Sequence, residues 1–270
     1  MLTDGERAAA MWAVQNALSR HDYLHAAGQE LEELGTVWVS ADGPFAATAA
    51  FSTPDWVMLG MEKLRQSYGL DKRKRLAAAL TSYAQLDPNV KDIPENLGAG
   101  GDWLLHLNTT PVIEIADDGK TAQGAWYTPG IGVMPIYQEN KIYLKTMSYH
   151  SKCGADFVKE DGEWKLWHLQ VAFDFVPSLP KDILEQIIRQ AGTMAIGEPL
   201  EPIRMPVDSQ GSGSPPSPMP LGAIPALHKY ERFSLARVPE VWPRLPKRYS
   251  SFSETFSNCN CEHEIPGVLK

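Results

Sequence analysis

The stretch Asp156-Phe157-Val158-Lys159-Glu160-Asp161-Gly162-Glu163-Trp164-Lys165-Leu166 reads as two β-strands joined by a tight turn. Asp-Gly supplies the positive-φ positions that a two-residue hairpin turn requires, and apolar residues flank it on both sides. Extended outward, the strands occupy residues 154–159 and 164–175. A second turn of the same kind, Asp117-Asp118-Gly119-Lys120, separates residues 104–115 from residues 121–128, and residues 141–150 add a further strand. From Trp103 to Val176 the chain is therefore expected to form an antiparallel sheet.

Upstream of Trp103 the spacing changes from two to three and four. Met11, Val14, Leu18, His21 and His25 form one stripe of a helix, with two histidines continuing its apolar face. Residues 29–34 predict a second helix, and residues 37–39 and 47–51 predict short extended pieces. Thr53 followed by Pro54 reads as an N-cap with proline at the first helical position, opening a helix through Trp56, Leu59, Lys63 and Leu64 to about Tyr68. Helices first and an antiparallel sheet second define an α+β class, with helices against a sheet over residues 1–176.

The remainder is different in kind. Of 21 prolines, 14 fall after Val176, too dense for long helices or central strands. Gly211-Ser212-Gly213-Ser214-Pro215-Pro216 is linker chemistry, after a short helix expected over residues 181–195. Yet Tyr230, Phe233, Trp242, Tyr249, Phe252 and Phe256 are more anchors than a solvated linker uses. Residues 177–270 are therefore read as an extended arm that packs on something, most simply a neighbouring subunit of a homo-oligomeric dimer or trimer.

Lys and Arg total 25 against 33 Asp and Glu, a formal charge of −8, all of it on residues 1–176 because the arm balances 10 of each sign. An acidic chain with a pI near 5.4 repels a phosphate backbone, so nucleic acid is excluded as an expected partner. No apolar run is long enough for a membrane helix, and the first residues lack the order of a signal peptide, which predicts a cytoplasmic protein with no membrane partner. Three cysteines, Cys153, Cys259 and Cys261, are too few for a disulfide scaffold and are expected as free thiols.

His106 with Pro111-Val112-Ile113-Glu114-Ile115, then Asp118-Gly119-Lys120-Thr121-Ala122-Gln123-Gly124-Ala125-Trp126, then residues 156–166 follow one another in an order that resembles the SnoaL-like branch of the nuclear transport factor 2-like (NTF2-like) superfamily. The resemblance covers roughly residues 8–176. It implies a strongly curved antiparallel sheet wrapped with the N-terminal helices into a cone around an apolar cavity. It also implies one of several roles, since such proteins include cofactor-free dehydratases, isomerases and cyclases as well as non-catalytic binding proteins. The arm lies outside it.

Alternation nominates the cavity residues independently. If Trp164 and Leu166 face inward, period 2 places His168 and Gln170 on the same face; His106 aligns with Asn108 and Thr110, and Trp126 with Gly124. Pro111 is placed to introduce a bulge that reverses the face beyond it. His21, His25, His106 and His168 are then candidates to converge, each with a side chain suited to proton transfer near neutrality. His106 also matches by position a histidine of the family, and His25, one turn past His21, is the best partner for a second proton. Asn108, Thr110, Trp126, Tyr127, Lys145 and His168 complete the expected substrate contacts. Tyr127, Tyr137, Tyr143 and Tyr149 surround Pro129-Gly130-Ile131-Gly132, which reads as a loop over the cavity mouth. The hydratases of the family commonly add an aspartate from the first helices. Here that region offers Ala26, Ala27 and Gly28, and Asp22 lies off the stripe, so the pairing is not carried over.

No glycine-rich dinucleotide fingerprint and no phosphate loop is present, so no cofactor is expected. His21 and His25 have the i, i+4 spacing of a metal pair that His106 could complete, but with no carboxylate on the stripe no metal is expected. The reading is a cofactor-independent lyase or dehydratase using histidine acid–base chemistry on a hydroxylated apolar small molecule. Family members that share Arg20-His21 and His25-Ala26-Ala27-Gly28 imply an aromatic, lignin-derived diaryl or steroid-like substrate, with C–O elimination or C–C cleavage releasing formaldehyde. The alternative is a non-catalytic small-molecule-binding or assembly protein.

Overall fold

Thr3 opens the first helix, α1 (Asp4–Ala26), through a capping box in which its hydroxyl accepts from the Glu6 amide while the Glu6 carboxylate accepts from the Thr3 amide. The structure, a computed structural model, describes residues 2–138, 141–176, 183, 219–228, 230 and 240–261. Val14, Ala17, Leu18 and His21 form the buried face of α1, whereas Met11 at the start of the expected stripe is exposed. Gly28 accepts a left-handed φ of 68° just past the helix, and α2 (Glu30–Thr36) follows.

The chain then departs from its expected course. Thr53 caps no helix: its hydroxyl accepts from the amides of Asp55 and Trp56 and closes a turn between β1 (Ala50–Ser52) and β2 (Trp56–Leu59). Thr-Pro serves a turn as well as an N-cap, and Trp56-Val57-Met58 prefer a pleated, half-buried surface. The helix begins only at α3 (Met61–Lys63), runs through a π-helical segment (Leu64–Asp71) that carries Tyr68, and continues as α4 (Lys72–Leu86). Neither the π-helical turn nor α4 was expected.

β3 (Trp103–His106), β4 (Thr109–Ile115), β5 (Thr121–Tyr127), β6 (Gly130–Gln138), β7 (Lys141–Glu160) and β8 (Glu163–Phe175) build the curved sheet. The order is β3-β6-β7-β8-β1-β2-β9, with β9 (Ile224–Pro225) at the edge and the β4–β5 pair attached to β7. β7 is one bent strand of 20 residues rather than two: its first half pairs with β6 and its second with β5 and β8. The Asp-Gly turn that joins β7 to β8 is as expected, with Asp161 and Gly162 at φ of 48° and 86°. The glycine-rich segment expected as a loop is instead the start of β6, whose Gly130 lies so close to β3 that a Cβ would strike the Leu105 carbonyl, and whose Gly132 has no room for one beside the Tyr149 hydroxyl of β7.

Two bulges decide which side chains face inward. Across β7 and β8, Asp156 pairs with His168 but Phe157 pairs with Leu166, leaving Trp167 extra. Between Thr109 and Val112 a second irregularity sets Thr110 at a φ of 48°, in the place where Pro111 was expected to break the alternation. The core of Val14, Leu18, Trp38, Ile115, Phe157 and Leu166 packs α1 and the segment after α2 against the curved sheet, each buried apolar side chain contributing about 1.5–3 kcal/mol.

The described parts of the arm lie on this chain's own sheet, on the face away from α1. Phe252 enters the main core against Trp167, with ring centroids 4.9 Å apart, and Tyr230 and Trp242 cover Ala172. The Tyr249 hydroxyl meets Thr121 at 3.2 Å. The expected helix over residues 181–195, apart from residue 183, the Gly-Ser-Pro linker and Phe233 lie outside the described residues. Cys259 and Cys261 form a disulfide rather than the expected free thiols, while Cys153 is buried and free.

Candidate functional site

α1, the π-helical segment and the concave face of the sheet enclose a cavity of about 230 Å³. Leu18, Phe51, Leu104, Leu169, Val171 and Phe173 make most of its wall apolar. His21, Asp22 and His25 reach it from α1, Tyr68 from the π-helical segment, His106 from β3 and Asn108 from the turn after it. The three imidazoles form a ladder: ring centroids of His21 and His25 are 5.7 Å apart, those of His25 and His106 6.0 Å, with planes within 12° and 19° of parallel.

Their surroundings make these rings chemically unlike one another. His21 donates from Nδ1 to Glu33 Oε1 at 2.6 Å, and Glu33, fully buried on α2, also accepts from Trp38 Nε1 at 2.7 Å and from the Tyr68 hydroxyl at 3.1 Å. Burial alone would lower the His21 pKa, but the charge and hydrogen bond of Glu33, helped by Asp22 and Glu30, outweigh it and hold it above its ordinary value. Tyr68 is 2.8 Å from His25 Nδ1. With the Tyr68 proton given to Glu33, His25 donates from Nδ1 and keeps its lone pair on Nε2. Burial, then the charges of His21, Lys72 and His106, push His25 well below the usual imidazole range.

His106 has no such support. Its Nε2 is buried and makes no hydrogen bond, and burial with the positive charges of His21 and Lys72 lowers its pKa to about 4. Asp22 accepts a hydrogen bond from Asn108 and has its Oδ1 3.9 Å from His21 Nε2. Burial is the main cause that raises its carboxyl to about 6, with Glu33 adding to the shift and His21 and Asn108 opposing it. Lys72, itself buried, sits 3.1 Å from Glu30 behind His25.

Of the expected site residues, His21, His25, His106 and Asn108 are thus brought together. The others are not. Trp126 is a core residue whose Nε1 donates to Gln15, Tyr127 is 57% exposed, Thr110 is exposed on its bulge, and Lys145 lies on the β6–β7 hairpin outside the cavity wall. His168 is turned by the extra residue Trp167 to the opposite face of the sheet. There it donates from Nδ1 to Asp156 at 2.7 Å, and its Nε2 lies 3.0 Å from the Thr48 carbonyl. Sequence spacing missed Asp22, Glu33 and Tyr68. The available signal was Glu30-Leu31-Glu32-Glu33, a run of carboxylates directly after the two histidines of the stripe, of which Glu30 and Glu33 prove to be buried.

A larger hollow of about 430 Å³ opens between α2 and the β7–β8 turn. Its prominent cation, Lys165, is held by Glu163 at 2.7 Å and by the Thr36 carbonyl at 2.8 Å, so size alone does not make it the better site. Among the described residues, no group of three or more His, Cys, Asp or Glu is arranged to hold a metal ion, and no helix is long and apolar enough to cross a membrane.

A curved sheet closed by helices around an apolar hollow is the NTF2-like architecture. The chain belongs to the SnoaL-like domain family, whose profile matches residues 6–170. Among solved structures, a protein of the NTF2-like family from Streptomyces avermitilis is 16% identical over 61% of this chain and 97% of its own, with a TM-score of 0.44. A type 3 hexachlorocyclohexane dehydrochlorinase from Novosphingobium barchaimii is also 16% identical, over 66% of this chain and 94% of its own, with a TM-score of 0.41. A type 2 form of that dehydrochlorinase is 14% identical over the same shares, with a TM-score of 0.43. No curated protein matches the chain significantly.

Proposed function

We propose that the protein is a cofactor-independent lyase that eliminates water from a hydroxylated, largely apolar small molecule. The observation that carries this reading is His106, a cavity-lining imidazole whose buried Nε2 has no hydrogen-bond partner and whose pKa burial lowers to about 4, in the same wall as His21, which Glu33 holds above its ordinary value. His106 takes a proton from the substrate carbon, the electron pair of that C–H bond becomes the new C=C bond, and the adjacent C–O bond breaks. His21 Nε2–H gives its proton to the departing oxygen, which leaves as water. His25 Nε2 lies between the two and accepts a hydrogen bond from the substrate. Asp22, charged above pH about 6, orients His21 from the opposite side. The apolar wall keeps bulk water from the reacting carbon.

A cavity of about 230 Å³ suits a single-ring aromatic of roughly a dozen non-hydrogen atoms at interior packing density. A lignin-derived diaryl or steroid-like substrate would exceed this volume. Formaldehyde release from a hydroxymethyl-bearing diaryl would use the same base on the hydroxyl proton: the O–H pair forms the C=O of formaldehyde, the C–C bond breaks, and its electrons form the C=C bond as the neighbouring benzylic hydroxyl leaves as water with a proton from His21. The test is product formation from small β-hydroxy aryl compounds, read by the absorbance of the conjugated alkene, with formaldehyde measured in parallel. Binding without turnover across that panel would favour a ligand-binding protein instead. Self-association through the arm is proposed separately, and a monomeric mass for the full chain in light scattering would overturn it.

A further inference from the structure

Glu33 is the most heavily engaged carboxylate near the cavity, yet it does not line it. Three side chains converge on it from three elements: His21 from α1, Trp38 from the segment after α2, and Tyr68 from the π-helical segment. Both of its oxygens are used, and no water reaches them. A fully buried charge is costly unless paired and hydrogen-bonded, and His21 is the partner in reach that can supply a full positive charge.

We propose that Glu33 is a positioning residue: its bond to Nδ1 fixes the His21 ring, keeps it cationic and aims Nε2–H into the cavity, so that His21 rather than His25 or His106 is the charged donor for an oxygen gaining negative charge.

The ladder geometry supports this division of labour. Three near-parallel rings 5.7 and 6.0 Å apart cannot all carry charge in an apolar wall, because like charges at that separation repel by several kcal/mol at an effective dielectric near 20. The ring that keeps its proton is His21, whose Nδ1 is hydrogen-bonded to a carboxylate at 2.6 Å, whereas His25 Nδ1 meets the Tyr68 hydroxyl at 2.8 Å with Glu30 farther off at 3.5 Å. Tyr68, donating to Glu33, turns its oxygen toward His25 as an acceptor and so gives that ring the opposite role from the same anchor. Every charged or titratable group facing His21 fits the assignment: Asp22 and His25 on its own helix, Glu30 and Glu33 on α2, Tyr68, His106 on β3, and Lys72 behind Glu30. Trp38 Nε1 donates to the same Glu33 oxygen as His21, which ties the carboxylate to the segment after α2 and restrains it from following the ring if the imidazolium moves toward substrate.

The inference rests on the elimination proposed above, but its test does not require turnover. 4-Nitrophenol, a single-ring phenol of suitable size, serves as the probe, because its visible absorbance reports ionisation directly. Bound to the full-length protein it is expected to ionise at a pH at least one unit below that of the free phenol, a tenfold or greater preference for the anion. Glu33→Gln should abolish that shift and Glu33→Asp should retain part of it. Histidine-selective 15N NMR supplies the second readout. His21 should be an imidazolium at pH 7 in the unmodified chain and lose that charge in Glu33→Gln, while His168, held by Asp156, should be unchanged.

Equal probe ionisation in the unmodified and Glu33→Gln proteins would overturn the assignment, as would an uncharged His21 at pH 7 in the unmodified chain. The latter holds even if Glu33→Gln fails to fold or the probe fails to bind. Absence of turnover with an intact probe shift would instead overturn the elimination and leave the role of Glu33 standing.

Discussion

Among the described residues, two buried histidine–carboxylate hydrogen bonds are of nearly identical length, and they do opposite things. His21 and Glu33 meet at 2.6 Å beside the cavity, and His168 and Asp156 meet at 2.7 Å beneath the arm. Around Asp156 every valence is used: it also accepts from Gln123 Nε2 at 2.9 Å and from the backbone and side-chain amides of Asn258, both at 2.7 Å, while His168 Nε2 engages the Thr48 carbonyl. Around the cavity the accounts are left open. His106 Nε2 has no hydrogen-bond partner, and burial raises the Asp22 carboxyl to about 6 against the opposing pull of His21 and Asn108. Residue type does not distinguish a site from a structural clasp; unfinished hydrogen bonding next to empty space does.

The comparison breaks most visibly if the wrong histidine matters. His106→Ala is expected to lower turnover by about 10²–10⁴-fold, the usual worth of a general base, with the protein folded. His168→Gln should leave turnover within a few-fold in the folded fraction. Equal losses in both, measured under the same conditions, would erase the distinction. Stability should respond in the reverse order. Asp156→Ala leaves His168, Gln123 and Asn258 without their shared acceptor and is expected to destabilise by about 3–5 kcal/mol in urea titration, with faster proteolysis in residues 240–261. An unchanged midpoint would show that the arm is not clasped there.

Asp22 sharpens the contrast through its pH dependence. Its folded carboxyl titrates at about 6, above its unfolded value, so the native state binds more protons between about pH 4 and 6 and its stability falls as pH rises through that window. Asp22→Asn removes that fall. The variant should gain up to about 3 kcal/mol above pH 6 relative to the unmodified chain, less what the altered Asn108 contact costs. Denaturation curves that stay parallel from pH 4 to 7.5 would contradict the burial of a charge at this position. The smallest effect belongs to the arm's rim: Tyr249→Phe loses one hydroxyl contact with Thr121 and should cost about 1 kcal/mol without altering turnover.

Much of the architecture could be read from turn chemistry, because Asp-Gly at 118–119 and 161–162 marks hairpins by a local requirement for positive φ. The faces of the strands were harder. Alternation carries a residue's orientation only as far as the next bulge, and the extra residue Trp167 sits directly before His168, which reverses it. Helical spacing succeeded for His21 and His25 because both share one buried stripe. It missed Asp22, one position on, because the cavity reaches around the stripe's edge to a residue only partly buried. Glu33 and Tyr68 were hidden for another reason. Their roles depend on helices separated in sequence, and Tyr68 is presented by a π-helical turn that no simple periodicity encodes. The arm's aromatic residues pointed to docking without saying on which copy; among the described residues, Phe252, Tyr230 and Trp242 pack on the chain's own sheet.

The central claim is that burial has left His106 an uncharged, unpartnered base inside the cavity. Histidine-selective 15N NMR of the full chain, titrated from pH 8 downward, tests it most directly. His106 is expected to stay neutral until about pH 4, well after exposed histidines have charged. A His106 ring that takes up its proton near the ordinary value of about 6.5 would show a solvated or partnered group and contradict the account.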